Sequence, residues 1–224
     1  MSHKSAEYWI EKYKTRQAYW VHDDNPKRPH ALLTSGLHSN GFFNSRPVVA
    51  DDDLLREIAV DLVVRLEEYY SIGRVGCVVG PQTGATKLAQ YVSERITRLR
   101  GVWRPCDWAS PRKTGGGSER AMTFEGESRK PLREQNVFFV EDVLTTGGSV
   151  DLTLDAVRGE GAIPLFWIGC IVNRSGLKDF MGRKILANLE VSMQTWRSEE
   201  CPLCLVGSEA VRPKENWALL NAEY

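Results

Sequence analysis

The chain has 224 residues, enough for one sizeable core, and its 42% hydrophobic and 26% charged residues are ordinary for a soluble globular protein. Its 29 basic residues balance 29 acidic ones, which excludes a global attraction to nucleic acid or to membranes. The N-terminal segment lacks the apolar run of a secretory signal, and no later stretch is apolar for long enough to span a bilayer. Five cysteines, an odd and sparse set, are typical of a reducing compartment, so we expect a cytoplasmic protein.

The order of apolar patterns along the chain predicts an α/β fold. Helical periodicity predicts helices over residues 5–20, from Asp51 or Asp52 to about residue 70, over residues 85–99 and over residues 150–158. Short apolar runs predict strands at residues 75–79, 102–108, 138–140 and 163–172, with further strand-like runs between residues 31 and 49. This alternation is typical of a parallel sheet covered on both faces. Because ligands bind such sheets at the carboxyl ends of the strands, we look for chemistry after Val79, Val140 and Val172.

A threonine- and glycine-rich turn follows one of these strands directly, at residues 141–149. Gly147 and Gly148 permit a tight turn whose backbone N–H groups point at one anion, at the start of the next helix. The carboxylates of Glu141 and Asp142 would repel a phosphate, so they suit partners that donate hydrogen bonds, such as sugar hydroxyls. Three hydroxyls add donors to the turn: Thr145, Thr146 and Ser149. The plain structural alternative is an N-capped helix with the acidic pair in solvent, but strand, acidic pair and helix occurring together favour a phosphorylated sugar.

This segment resembles the phosphoribosyl-pyrophosphate motif of type I phosphoribosyltransferases. The resemblance implies their fold, a central, mainly parallel sheet flanked by helices, with a small hood formed by both ends of the chain. It also implies that Asp142 and Glu141 hold the ribose 2′- and 3′-hydroxyls. The 5′-phosphate would be wrapped by Val143, Leu144, Thr145, Thr146, Gly147, Gly148 and Ser149.

Four further segments resemble orotate phosphoribosyltransferases, in the same order along the chain. Residues 33–44 are similar to the hood turn and aromatic strand of that family, and residues 79–84 to its pyrophosphate loop. Arg174 stands where the family carries an arginine near the base, and residues 195–204 resemble the tail of one bacterial branch. The substrate-binding residues that this resemblance adds are Phe42, Phe43, Gln82, Thr83, Gly84 and Arg174.

The chemistry of these side chains agrees with orotate as the base. The guanidinium of Arg174 matches a carboxylate in a bidentate pair, whereas its plain alternative is a surface arginine. Phe42 and Phe43 alternate along a strand, so we expect one to pack inward and the other to line the base site; core packing of both is the alternative.

The resemblance implies transfer of phosphoribosyl from phosphoribosyl pyrophosphate to orotate, with release of pyrophosphate, in pyrimidine nucleotide synthesis. Mg²⁺ is the expected cofactor, bound through the substrate's phosphates and ribose hydroxyls without direct side-chain ligation. In the family a mobile basic loop, often from the partner subunit of a dimer, closes over the site, and we expect a homodimer. Residues 110–135, charged, glycine-rich and without apolar periodicity, are placed to do this, or form a solvated loop. The catalytic candidates are Arg112, Lys113 and Asp142, with Arg120 a weaker one.

Other functions stay open because the chain has few cations around the expected pyrophosphate. Thr34 and Thr83 stand where lysines are expected, and the loop after Lys113 continues as Thr-Gly-Gly-Gly. The alternatives are a phosphoribosyltransferase for another nucleobase and a non-catalytic regulator that binds phosphoribosyl pyrophosphate or a nucleotide.

The pair Cys201 and Cys204 has the spacing of half a zinc knuckle. A closed structural zinc site normally needs four ligands, and no second pair of comparable spacing exists, so we expect no zinc there. We expect a single domain, with hood elements at about residues 1–50 and 185–224 and a core at about residues 51–184.

Overall fold

A computed structural model describes residues 2–101, 104–116, 119–129 and 131–224. The chain divides into two compact units. The core unit comprises residues up to Trp9 together with Val49–Val191, and the hood unit comprises Ile10–Val48 and Ser192–Tyr224. Within the described ranges, no helix combines the length and the apolar character needed to cross a bilayer.

The helices and strands are numbered in chain order. The helices are α1 (Ala6–Lys14), α2 (Ser45–Ala50), α3 (Asp52–Glu67), α4 (Thr86–Arg100), α5 (Gly148–Gly159), α6 (Pro202–Leu205) and α7 (Trp217–Leu220). The strands are β1 (Tyr19–Val21), β2 (His30–Leu32), β3 (His38–Ser39), β4 (Gly41–Phe43), β5 (Cys77–Val79), β6 (Asp107–Ala109), β7 (Arg112–Thr114), β8 (Ala121–Thr123), β9 (Asn136–Leu144), β10 (Ile163–Asn173), β11 (Asp179–Phe180), β12 (Arg183–Glu190), β13 (Thr195–Trp196) and β14 (Ala210–Val211).

The core unit is built on a six-stranded sheet in the order β11-β12-β10-β9-β5-β6, in which only β11 runs antiparallel to its neighbour. Val137 and Phe139 of β9 pack with Leu154 of α5 in one buried cluster. Because side chains alternate along a strand, Phe138 and Val140 face the opposite side of the sheet. The side chains on both faces are buried, which explains why these strands read as continuous apolar runs and confirms the predicted covered parallel sheet.

The predicted helix after Asp51 is confirmed as α3. The Asp51 carboxylate accepts a hydrogen bond from the backbone N–H of Leu54 at 3.0 Å, which satisfies one of the N–H groups that lack an acceptor in the first turn. Leu55, Ile58 and Leu62 are fully buried on the inner face of α3, and burial of each such side chain contributes about 1.5–3 kcal/mol.

A buried carboxylate on α3 connects three parts of the core unit. The Asp61 side chain is 3% exposed. It accepts hydrogen bonds from Arg65 Nε at 2.7 Å, from Asn188 Nδ2 at 2.8 Å and from the backbone N–H of Lys4 at 2.5 Å. Since each donor compensates part of the cost of burying the charge, this carboxylate is expected to stabilise the fold only while all three remain.

The helix predicted over residues 5–20 was wrong beyond Lys14. Gln17 has a φ of 52°, which a right-handed helix does not contain, and the next residues form β1, which pairs with β4. Trp20 is buried there and its indole N–H donates to the carbonyl of Leu220 at 2.8 Å. Tertiary packing of Trp20 therefore outweighs the helical periodicity.

The stretch predicted to be irregular, residues 110–135, contains an antiparallel hairpin of β7 and β8. Met122 and Phe124 are buried, and Phe124 belongs to the same cluster as Val150 and Leu154 of α5. The absence of apolar periodicity hid these short strands, whose outer side chains are polar. Residues 117, 118 and 130 of this stretch, and residues 102 and 103 of the strand predicted at 102–108, lie outside the described residues.

The hood unit contains a four-stranded sheet in the order β13-β3-β2-β14, and a second pair, β1 with β4. The inner hairpin, β2 and β3, comes from the N-terminal part of the chain, whereas both outer strands come from the C-terminal part. Trp20, Ala31, Val211 and Leu220 form the buried cluster of this unit. The predicted single domain stays a prediction.

Candidate active site

The acidic pair lies inside β9 and not after it, because the strand continues four residues beyond its predicted end at Val140. Glu141 is 6% exposed, and Asp142, on the other side of the pleat, is half-buried. Backbone groups fix both carboxylates: Glu141 Oε1 accepts from the N–H of Asp142 at 3.0 Å, and Asp142 Oδ1 from the N–H of Val143 at 2.8 Å. The sheet therefore holds two carboxylates with defined orientations at its carboxyl edge.

The environment of Glu141 disfavours its charged form. Burial raises the pKa of Glu141 well above its ordinary value, and the neighbouring Asp142 charge acts in the same direction. The positive charge of Lys113, on β7, acts in the opposite direction on that pKa, which puts Lys113 within electrostatic reach of the pair. Hydroxyl donors bound beside Glu141 would favour its charged form, because hydrogen bonds to a carboxylate lower its pKa.

The turn between β9 and α5 has the geometry of an anion cradle. Gly147 has a φ of 79°, and a Cβ at this position would also collide with the Phe180 ring, so glycine is required. Helix α5 begins at Gly148, two residues before its predicted start, and the first N–H groups of a helix have no acceptor within it. The side chains of Thr145 and Thr146 are exposed at this turn.

The loop after β5 lies against the acidic pair. A Cβ at Gly84 would collide with the carboxylate of Asp142, so the absence of a side chain at Gly84 allows this close approach. Gln82 and Thr83 are exposed, and the peptide bond between them is cis. The structure thus brings together two segments that the sequence predicted separately, after Val79 and after Val140.

Ser110, which sequence reasoning missed, positions this loop. Its hydroxyl donates to the carbonyl of Gly80 at 2.7 Å and lies 2.7 Å from Thr86 Oγ1. The backbone N–H of Gln82 donates to the carbonyl of Pro111 at 2.9 Å. The available signal was the position of Ser110 directly after β6, where the rule that sites follow parallel strands applies equally.

Arg174 follows β10 at the same edge of the sheet. Its backbone N–H donates to the carbonyl of Leu144 at 2.8 Å, beside the end of β9. The side chain is half-buried, burial lowers its pKa, and among the described residues its buried Nε has no hydrogen-bond partner. This burial counts against the surface-arginine alternative, and the role of Arg174 in binding stays a prediction. A partly desolvated guanidinium with an unused donor indicates an anionic ligand.

The two cations proposed for the lid are both exposed on β7, but they differ in their partners. Arg112 forms an ion pair with Glu125, whereas Lys113 lies within electrostatic reach of Glu141. Arg120 is also exposed, in the segment that joins β7 to β8. Their catalytic roles stay predictions, with Lys113 the better placed.

The two phenylalanines of β4, in the hood unit, alternate as predicted. Phe43 is buried with its ring centroid 5.1 Å from that of Tyr13. Phe42 is half-buried, 6.2 Å from the ring of Trp217. Contact of either ring with a base stays a prediction, and Thr34 is exposed in the turn between β2 and β3.

The sequence matches no family model. It is nevertheless similar to curated proteins: an orotate phosphoribosyltransferase of Desulforamulus reducens is 33% identical over 184 residues, which cover 82% of this chain and 87% of that protein. The chain belongs to the orotate phosphoribosyltransferase family. A second member, from Chlorobium phaeobacteroides, is 32% identical over 180 residues and 78% of this chain, and 81% of its own length is covered.

Solved structures of the orotate phosphoribosyltransferase family share the fold. The crystal structure of the enzyme from Aeropyrum pernix has a TM-score of 0.60 at 22% identity and covers 81% of this chain and 93% of its own. The enzyme from Mycobacterium tuberculosis, in complex with Fe(III) dicitrate, has a TM-score of 0.56 at 21% identity, with coverage of 82% and 96%. The family and the type I phosphoribosyltransferase fold predicted from the sequence are both confirmed.

Proposed function

We propose that this protein transfers the phosphoribosyl group of phosphoribosyl pyrophosphate to orotate, with release of pyrophosphate, as a step of pyrimidine nucleotide synthesis. The observation that carries the proposal is the carboxyl edge of the core sheet in a member of this family. Asp142 lies near the end of β9, Gly84 in the loop after β5 and Arg174 directly after β10. Relatives named orotate phosphoribosyltransferase from several bacteria support the same activity.

The donor would bind with its ribose on the acidic pair. Hydroxyls at positions 2 and 3 of the ribose donate hydrogen bonds, and the carboxylates of Glu141 and Asp142 accept them. The 5′-phosphate would then lie in the turn 143–149, where N–H groups at the start of α5 and the exposed hydroxyls of Thr145 and Thr146 are available.

Orotate would be recognised through its carboxylate by Arg174. A planar guanidinium pairs with a carboxylate through two parallel hydrogen bonds, and Nε is one of the donors that such pairs use. Purine bases lack a carboxylate and would leave this buried donor unsatisfied. Arg174 therefore favours orotate over a purine.

In the reaction the bond from ribose C1 to the pyrophosphate oxygen breaks, and a bond from a ring nitrogen of orotate to C1 forms. The proton of that nitrogen passes to the released pyrophosphate or to solvent. The transition state carries positive charge on the ribose and growing negative charge on pyrophosphate, so no protein nucleophile is needed. Residues 80–84, fixed by Ser110, would position the pyrophosphate, and Lys113 would stabilise its charge. The oxygen-rich acidic pair fits Mg²⁺ held through the substrate, which neutralises phosphate charge when it is bound.

A homodimer is a further part of this proposal, supported by the family resemblance. Arg112, exposed on β7, would then be available to the partner's site, whereas Lys113 would act within its own chain. Light scattering coupled to gel filtration measures the mass in solution. A monomer at working concentration that retains full turnover would contradict it.

Turnover of candidate bases tests the proposed function. The full chain is incubated with Mg²⁺, phosphoribosyl pyrophosphate and orotate, adenine, guanine or uracil, and orotate consumption is followed by absorbance. We expect turnover with orotate alone. Turnover of a purine but not of orotate would contradict the proposed specificity, and tight binding of phosphoribosyl pyrophosphate without turnover of any base would favour the regulator.

A matched pair of variants tests the pose of the ribose. Asp142→Asn should weaken binding of phosphoribosyl pyrophosphate by about tenfold or more, because a hydrogen bond to a charged acceptor contributes about 1.5–3 kcal/mol. Asp155→Asn changes an exposed carboxylate on α5 that pairs only with Arg158 among its described neighbours, and should leave binding unchanged. Equal affinities of the two variants would reject the pose.

A further inference from the structure

Four side chains with metal-binding atoms converge in the hood unit. They are His30 of β2, His38 of β3, Cys201 directly before α6 and Cys204 within α6. Each offers one ligand atom, and these atoms all lie within 4.8 Å of one another. His30, His38 and Cys201 are buried, and Cys204 is half-buried. The four residues come from the two ends of the chain and take no part in the reaction proposed above.

The separations between the ligand atoms match those of a tetrahedral zinc site. Cys204 Sγ lies 3.3 Å from His38 Nδ1 and 3.6 Å from His30 Nε2, and Cys201 Sγ lies 3.5 Å from His30 Nε2. Tetrahedral zinc with bonds of about 2.3 Å to sulfur and about 2.0–2.1 Å to nitrogen places nitrogen and sulfur about 3.5 Å apart. The two nitrogens are 2.9 Å apart, closer by about 0.4 Å than that geometry requires.

The hydrogen bonds of His30 orient its lone pair toward the cluster. The hydroxyl of Ser208 donates its only proton to the carbonyl of Arg28 at 2.7 Å. The same oxygen lies 2.9 Å from His30 Nδ1, so it must accept a proton from that nitrogen. Nε2 is then unprotonated and faces His38 and the two thiols. Metal-binding histidines are typically fixed in this way, by donation from the nitrogen that does not bind the metal.

We propose that His30, His38, Cys201 and Cys204 bind one Zn²⁺ as a structural site. Two sulfur and two nitrogen ligands in tetrahedral positions are typical of zinc, and four protein ligands leave no open position for a substrate, so the role is structural and not catalytic. The ion would join the hairpin of β2 and β3 to the tail that carries α6. The competing arrangements are a metal-free hydrogen-bonded cluster and a disulfide between the two cysteines.

Sequence reasoning missed this site because it looked for a second closely spaced pair of ligands. His30 and His38 are eight positions apart and lie between 163 and 174 positions before the cysteines. The two histidines come side by side through the pairing of β2 with β3. Leu32 and His38 are antiparallel neighbours in this pairing. Because side chains two positions apart on a strand share a face, His30 lies on the same side of the sheet as Leu32 and therefore as His38.

Metal analysis of the full chain tests the proposal. Protein from zinc-supplemented culture is purified under reducing conditions without chelator, and zinc is measured by plasma mass spectrometry. We expect one zinc per chain in the wild type and less than a tenth of that in Cys204→Ser. The control Cys106→Ser removes a buried thiol of the core unit and should retain one zinc per chain. Removal of zinc should lower Tm by on the order of 5 °C, without substrate present.

Cobalt substitution of the wild type keeps the test decisive if Cys204→Ser does not fold. Co²⁺ in this site should give intense tetrahedral d–d bands and a thiolate-to-cobalt charge-transfer band. The proposal would be overturned if that band were absent, or if the wild-type protein stayed free of zinc after anaerobic reconstitution. It would also be overturned if Cys204→Ser retained its full zinc content, or if a Cys201–Cys204 disulfide were found in the reduced preparation. Since these measurements need no substrate, failed orotate turnover by a zinc-loaded protein would refute the proposed function alone.

Discussion

Replacement of Arg174 by methionine should have opposite effects on stability and on catalysis. In the ligand-free protein the guanidinium is half-buried, burial lowers its pKa, and Nε has no hydrogen-bond partner among the described residues. A polar group left unsatisfied costs about 1–3 kcal/mol, and partial exposure favours the lower value. We therefore expect Arg174→Met to raise the free energy of unfolding by about 1 kcal/mol, which raises Tm by roughly 2–4 °C for a chain of this size.

The same substitution should impair the reaction with orotate. Loss of a charge-assisted pair worth about 1.5–3 kcal/mol raises the KM for orotate by between about 10-fold and 150-fold, while the KM for phosphoribosyl pyrophosphate changes little. Steady-state kinetics and thermal unfolding of one preparation measure both effects.

Arg183→Met is the matched control. Burial lowers the pKa of Arg183 too, but its Nε donates to the carbonyl of Leu165 at 3.2 Å, so its removal should lower Tm and leave the KM for orotate unchanged. An unchanged KM for orotate in Arg174→Met, together with a lower Tm, would refute the reasoning about Arg174.

Three further substitutions test the core unit. Gly84→Ala introduces a Cβ that collides with the Asp142 carboxylate and displaces it from its position. The KM for phosphoribosyl pyrophosphate should therefore rise by about tenfold or more, from the loss of a hydrogen bond to a charged acceptor worth about 1.5–3 kcal/mol. Gly159→Ala, at an open position, should leave this KM unchanged. Asp61→Ala removes the acceptor of three hydrogen bonds, one buried and two partly buried, and should lower the free energy of unfolding in urea by about 3 kcal/mol. A loss under about 0.5 kcal/mol, the size of a neutral surface change, would contradict the role given to Asp61. Because folding raises the pKa of Glu141, its contribution to stability is present below the ordinary value of 4.5 and is lost as pH rises through the raised value. Glu141→Gln should therefore raise the Tm of the ligand-free protein relative to wild type at pH 8, and by less at pH 5. An equal rise in Tm at both pH values would contradict the effect of burial on Glu141.

The central sheet was predictable because burial on both faces leaves a strong apolar signal. Strands β5 and β10 and helices α3 and α4 correspond closely to their predicted ranges. The signal fails where packing is one-sided or where the run is short: β7 and β8 carry polar outer side chains, and β1 was read as part of a helix because its tryptophan is paired across 200 positions of sequence.

The chemistry of the candidate site was predictable as separate segments but not as an arrangement. The motif at residues 141–149 reads directly from the types and order of its residues. Asp142 lies against Gly84, which must therefore be small, and Ser110 fixes the loop that contains Gly84. Both contacts depend on the order of strands β6, β5 and β9 in the sheet. Periodicity predicts strands but carries no information on which strands are neighbours, so contacts between loops on different strands require the structure.

The strand order of the hood unit has a consequence for synthesis of the chain. The hairpin of β2 and β3 leaves the ribosome on the order of 150 residues before β13, which at ~5–20 residues per second is roughly 8–30 s. During that interval both edges of the hairpin lack their final partners, and unpaired edges promote association between chains. Nascent chains that stall after β12 would therefore carry a complete core sheet and an open hairpin, which makes them candidates for chaperone binding before release.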